Sequence, residues 1–72
     1  MAREKLKNKR IALGLTQSHI AEAAGIDRSY YAHIENGGRN GSISVWLKIL
    51  AALNIPEVQL GEYVKTSKKK GA

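Results

Sequence analysis

Arg28, Ser29, Ala32 and His33 fall at i, i+1, i+4 and i+5, a spacing that sets four side chains on one face of a helix. That face carries a guanidinium fork, a hydroxyl, an imidazole and a bare methyl. The fork is the informative member. Its parallel N–H donors match a planar edge with two acceptors, and the O6/N7 edge of guanine is the commonest such edge that proteins read. Arg28 also breaks a local rule, since a cation in the first turn of a helix opposes the dipole by roughly a few tenths of a kcal/mol. Uncompensated violations of this kind tend to mark function. A surface pair with Asp27 or Glu22 is the ordinary alternative. Ser29 and His33 suit base or phosphate contacts, and Ala32 leaves room to approach a thymine methyl. Tyr30 flanks the face and fits a phosphate contact and half-buried packing equally well.

Two neighbouring segments could hold a polyanion's backbone. Gln17 stands at the start of a predicted helix, where free backbone N–H groups favour a phosphate. Asn36, Gly38, Arg39 and Asn40 form a loop rich in amide donors. The run Gly37-Gly38-Arg39-Asn40-Gly41-Ser42 looks like a nucleotide-phosphate loop. It lacks the Gly-Lys-Ser/Thr ending and follows a predicted helix rather than a strand, so nucleotide binding is not expected.

Other chemistries find no support. His19 and His33 are the only histidines, on different predicted helices, and only Glu22 lies at helical spacing from His19, too few ligands for a metal site. There is no cysteine, which removes disulfides, thiolate nucleophiles and thiolate-ligated zinc. No serine, histidine and acid set suggests catalysis. Asn40-Gly41-Ser42 matches a glycosylation sequon, which we read as accidental. No enzyme activity, cofactor or small-molecule substrate is expected.

The elements that position these residues are helical. No period-2 alternation is long enough to propose a sheet. The first helix is predicted from Ala2 to Leu13, stopping at Gly14. A second is capped by Thr16 and ends before Gly25, which suits a left-handed C-terminal position. A third is capped by Asp27 and ends near Asn36-Gly37. A fourth runs from Ser42 to Leu53 or Asn54. Pro56 opens a fifth carrying Val58, Leu60, Tyr63 and Val64 and weakening at Gly61. The expected fold is an all-α, five-helix domain over residues 1–65, with a basic disordered tail at 66–72.

Within that frame two charges need each other. The first helix places Leu6, Arg10 and Leu13 on one face, and an arginine in an apolar stripe is costly unless its head is paired or reaches water. Glu35 sits in the last turn of the third helix, where the dipole disfavours a carboxylate. An Arg10–Glu35 ion pair solves both problems; two separately solvated charges remain the alternative. In the fourth helix, Ile43, Trp46, Leu47, Leu50 and Leu53 form a stripe sufficient for the core. A second stripe, Val45, Ile49 and Ala52, must be covered by the fifth helix or by another subunit, a homodimer through the fourth and fifth helices being slightly favoured.

Residues 17–36 have the spacing of a helix-turn-helix. Ala21 is small where two helices cross, Gly25 turns the chain, and Ile20, Ile26, Tyr31 and Ile34 fill the wedge between them. With Leu13-Gly14-Leu15-Thr16-Gln17 before it and Ile34-Glu35-Asn36-Gly37 closing it, the stretch resembles the Cro/CI-type (Xre-like) regulators. That family includes lambdoid phage repressors and controller proteins of restriction–modification systems. The resemblance covers roughly residues 3–60. It implies a lambda repressor-like domain that binds double-stranded operator DNA through the helix 27–36, usually as a two-fold dimer. It also implies that Gln17 clamps the DNA backbone and that Arg10–Glu35 is a family feature. Two departures, Gly41 where proline is frequent and Ser44 where an acid is frequent, loosen the expected start of the fourth helix.

Composition agrees with one small domain. The chain has 72 residues, of which 43% are hydrophobic and 25% charged, and folding hides only about 60% of its unfolded surface. No apolar run approaches the roughly 18 residues of a membrane span, and the residues after Met1 form no signal peptide, so no membrane association and a cytoplasmic location are expected. The formal charge is +6. It is concentrated in residues 1–13 and in the lysines at 65, 68, 69 and 70, whereas residues 14–61 are slightly acidic. The rival readings are a protein-interaction module of antitoxin type, which would expose apolar residues on the fourth and fifth helices, and a basic membrane-surface peptide, for which the ends are not amphipathic enough. On the nucleic-acid reading, deleting residues 66–72 removes three lysines without touching the reading helix. The slope of log K against log salt should fall by about 1–3 per subunit with base preference unchanged, each lost phosphate contact accounting for roughly 0.9. An unchanged slope would leave the tail only a solubilising end.

Overall fold

The structure is a computed structural model that describes residues 2–64; the predicted basic tail, 66–72, lies outside the described residues. Five α-helices follow one another: α1 Glu4–Ala12, α2 Gln17–Ala24, α3 Arg28–Glu35, α4 Ile43–Ala52 and α5 Leu60–Val64, the last preceded by a 3-10 turn over Glu57–Gln59. There is no strand among the described residues. The expected all-α, five-helix architecture is what forms.

Three helices start where a side-chain oxygen satisfies an otherwise orphaned N–H. The Thr16 hydroxyl accepts from the His19 amide (3.0 Å), Asp27 from the Ser29 amide (2.9 Å) and Ser42 from the Val45 amide (3.2 Å). Helix α2 ends at Gly25 with φ 71°, the left-handed conformation that only glycine adopts without strain. The chain then turns at once into α3. Leu6, Ile20, Ala21, Ala24, Tyr31, Ile34, Trp46, Ile49, Leu50, Leu53, Ile55 and Tyr63 form a single core, with Ile26 and Leu15 packed against it. Helix α2 lies at the centre, packed most extensively on α3 and α4.

The differences from expectation have physical causes. Helix α1 starts at Glu4, not Ala2, because Arg3 turns inward: its amide donates to the Glu35 carbonyl (2.8 Å) and its backbone is not helical (φ −90°, ψ 82°). Leu13 does not join the buried stripe. It is the C-cap of α1 and is 45% exposed. In α4 the two stripes are not divided as expected. Ile43 is 63% exposed, whereas Ile49 is fully buried within the chain, and Val45 and Ala52 are half-buried against the core. The second stripe therefore needs no other subunit to cover it. The first turn after Pro56 is 3-10 rather than α.

The start of α4 is also firmer than the two departures suggested. Ser42 caps it, and Gly41 sits at φ 74°, with the space around its α-carbon bounded by Ile34 and Trp46. Proline cannot adopt that backbone angle, so glycine at 41 is demanded by this version of the loop rather than tolerated in it.

Candidate nucleic-acid interface

Helix α3 presents two faces. Inward, Tyr31, Ile34 and Glu35 are buried; outward, Arg28, Ser29 and His33 are exposed and Ala32 is half-buried. The four positions picked from spacing thus share the accessible side of one short, capped helix. Arg28 is its first residue. Tyr30 is half-buried, packed on the core, with the Arg39 guanidinium over its ring at 5.8 Å. Its half-buried packing, one of the two roles its position allowed, is thus present in the fold.

The back of α3 is anchored by a charged network. Arg10 Nε and Nη2 donate to the two Glu35 carboxylate oxygens (2.7 and 3.1 Å), a bidentate pair, and Nη1 donates to the Leu15 carbonyl (2.8 Å). The same carboxylate accepts from the Gln17 side-chain amide (2.9 Å) and the Tyr31 hydroxyl (2.9 Å). Arg10 and Glu35 are therefore paired, as their positions in the two helices required. Burial pushes the Glu35 carboxyl up. The hydrogen bonds from Arg10, Gln17 and Tyr31, with the Arg10 charge, outweigh it, so the net displacement is below the ordinary carboxylate value. Burial, and then the Glu35 charge, drives the Tyr31 hydroxyl well above the usual phenol range. The Arg10 guanidinium is held above its ordinary value, chiefly by the Glu35 hydrogen bond. In this network α1, the start of α2 and the end of α3 meet on one carboxylate.

Gln17 stands at the first turn of α2, its side-chain amide donating one hydrogen bond to Glu35. An open groove of about 380 Å³ runs beside it, lined by Ala2, Lys7, Arg10, Gln17, Ala32, Glu35 and Asn36. Lys7 at this rim went unnoticed in the sequence. It lies at i+4 from Arg3 and i−3 from Arg10, a helical spacing that could have singled it out.

The loop after α3 is held from inside rather than open. The Gly38 amide donates to the His33 carbonyl (2.8 Å) and to Asn36 Oδ1 (3.1 Å), and the Arg39 amide also donates to His33 (3.2 Å). These amides close the end of α3, so the Gly38 and Arg39 N–H groups already have partners within the chain. Asn40 Oδ1 and its carbonyl accept from Arg3 and Trp46. Asn36, Arg39 and Asn40 are nonetheless solvent-exposed, with the Asn36 and Asn40 side-chain oxygens and the Arg39 guanidinium engaged within the chain. Arg3, 1% exposed, is the second residue that sequence reasoning missed. With Arg3 and Arg10 turned inward and Lys5 paired with Glu62 at 3.2 Å, less positive charge stands open on α1 than its composition suggests.

A model of the helix-turn-helix family matches residues 6–60. The chain belongs to that family. Its helix-turn-helix pair is α2 and α3, joined at Gly25. Among relatives, an uncharacterized HTH-type transcriptional regulator of Bacillus subtilis (strain 168), YqaF, is 49% identical over 49 residues, covering 68% of this chain and 64% of its own length. This chain thus aligns with less than two thirds of that relative. Among solved structures, the restriction-modification controller protein C.AhdI from Aeromonas hydrophila superposes with a TM-score of 0.75 at 40% identity, over 81% of this chain and 88% of that one. The controller protein C.Esp1396I gives 0.73 at 29% identity, over 86% and 80%. No single helix among the described residues of this helix-turn-helix protein is long and apolar enough to cross a membrane.

Proposed function

We propose that this chain is a sequence-specific, DNA-binding transcriptional regulator without enzymatic chemistry, which sets α3 in the major groove of operator DNA and acts as a homodimer. The observation that carries the reading is the division of α3: a guanidinium, a hydroxyl and an imidazole outward, with the opposite side locked by Tyr31, Ile34 and the Glu35 network. A rigid back and a polar front are what base readout requires. Arg28 reads guanine, Ser29 and His33 contact neighbouring bases or phosphates, and Ala32 lets the helix approach. Gln17, Asn36, Arg39 and Asn40 meet the backbone, joined by Lys7 at the groove it lines with Gln17 and Asn36. The exposed Arg28–His33 surface favours DNA over a purely protein-binding scaffold.

Self-association through α4 and α5 is our reading of what those segments leave uncovered, Ile43 at 63% and Val58, in the turn before α5, at 89% exposure, which is also the apolar exposure expected of a protein-interaction module. Two-fold dimers suit half-sites about one helical turn apart.

The roles separate in a binding assay. Arg28→Ala should cost about 1–3 kcal/mol on the best site and relax preference at one base pair. Lys7→Ala should weaken specific and random duplexes alike and reduce the salt slope by roughly 0.9 per subunit. Equal loss on both duplexes for Arg28→Ala would reassign Arg28 to phosphate.

A further inference from the structure

Arg3 is an arginine that is 1% exposed, in a residue class seldom buried. Its Nε donates to the Val64 carbonyl at the end of α5 (2.6 Å), and Nη1 to the carbonyls of Ile34 (2.5 Å) and Arg39 (2.8 Å). Nη2 donates to Asn40 Oδ1 (3.0 Å), and the guanidinium lies 5.3 Å from the centre of the Trp46 ring. All four acceptors are neutral oxygens. Those of Ile34 and Val64 belong to the last turns of α3 and α5, at the negative ends of the helix dipoles, the Ile34 carbonyl accepting from the Gly37 amide as well.

Filling this site with an apolar side chain would avoid desolvating a cation. What a guanidinium adds is a rigid fork that fixes several acceptors at once. Two of the four belong to the loop after α3. The Trp46 indole N–H bonds the carbonyl of the same Asn40, and the Arg39 side chain is drawn over Tyr30. Residues 39 and 40 are thus gripped from within, yet both remain solvent-exposed.

We propose that Arg3 is a positioning residue for DNA-backbone binding: it clamps the 36–40 loop between the ends of α3 and α5, so that Asn36, Arg39 and Asn40 meet phosphates in one preset geometry. The proposal rests on the DNA-binding reading above. A preset loop avoids paying its ordering entropy on binding, and the loss of that advantage falls on all sequences equally.

The test uses the full chain with Arg3→Lys and Arg3→Met, titrated against a duplex selected by the wild type and against a random duplex, with amide exchange measured residue by residue. Arg3→Lys keeps the charge and loses the fork. It should bind both duplexes about tenfold more weakly, with base preference intact. Exchange at Gly38 and Arg39 should quicken while Ile20 and Ala24 in α2 hold their protection. Arg3→Met should lose more; if it does not fold, Arg3→Lys carries the test. Wild-type affinity of Arg3→Lys with unchanged exchange at Gly38 and Arg39 overturns the proposal, as does quickening at every amide alike with affinity unchanged, the mark of a merely structural role. A wild-type chain that retains no duplex would instead overturn the DNA-binding reading itself.

Discussion

Replacing Glu35 with alanine should remove a large part of the protein's folding stability. The carboxylate takes four hydrogen bonds, two from Arg10 and one each from Gln17 and Tyr31, and its side chain is 4% exposed beside an Arg10 side chain at 12%. Removing it strands a buried cation and two polar donors, a loss of about 3–5 kcal/mol. A domain of this size has on the order of 4–11 kcal/mol in total. The same site sets the acid limit. Because the folded carboxyl lies below its ordinary value of 4.5, its contribution is fully present above that pH and is lost as pH falls through the folded value. Urea midpoints measured from pH 6 downward should therefore fall, and Glu35→Gln should flatten that fall. In a double-mutant cycle, Arg10→Met and Glu35→Gln should couple by more than about 1 kcal/mol. A coupling near zero would mean that the two charges stand independently.

Ile49→Lys should be at least as damaging, and Ile43→Lys should not. Both lie on α4, but Ile49 is fully buried in the core and Ile43 is 63% exposed. A lysine at 49 must bury an unpaired ammonium or open the core, a cost of about 4 kcal/mol or more. The urea midpoint should fall at least as far as in Glu35→Ala. Ile43→Lys should keep the fold and, if α4 contributes to a dimer, shift sedimentation toward the monomer and weaken operator binding. An Ile49→Lys monomer with the wild-type urea midpoint would restore that residue to a subunit interface.

The sequence made the elements legible wherever a cap or a left-handed glycine marks a boundary: Thr16, Gly25, Asp27 and Ser42 sit where their chemistry places them. Arg10 and Glu35 were legible because each is unfavourable alone and together they are not. The outward face of α3 followed once Tyr31 and Ile34 were assigned inward. Arg3 was not legible. Near the end of the chain an arginine reads as surface charge, and the carbonyls that receive it lie 31, 36 and 61 positions away. The α4 stripes failed for a related reason. Helix 4 is apolar almost all round, so periodicity could not say which side α2 would cover. The loop amides of Gly38 and Arg39 looked free because the turn that consumes them exists only after α3 has formed.

Selection of bound duplexes from a random pool by the wild-type chain tests most directly whether the outward face of α3 reads bases. The enriched duplexes should share two related half-sites about one helical turn apart, each with a guanine at a fixed position for Arg28. A pool that stays random while the folded chain still binds it would contradict base readout by α3 and leave only backbone attraction.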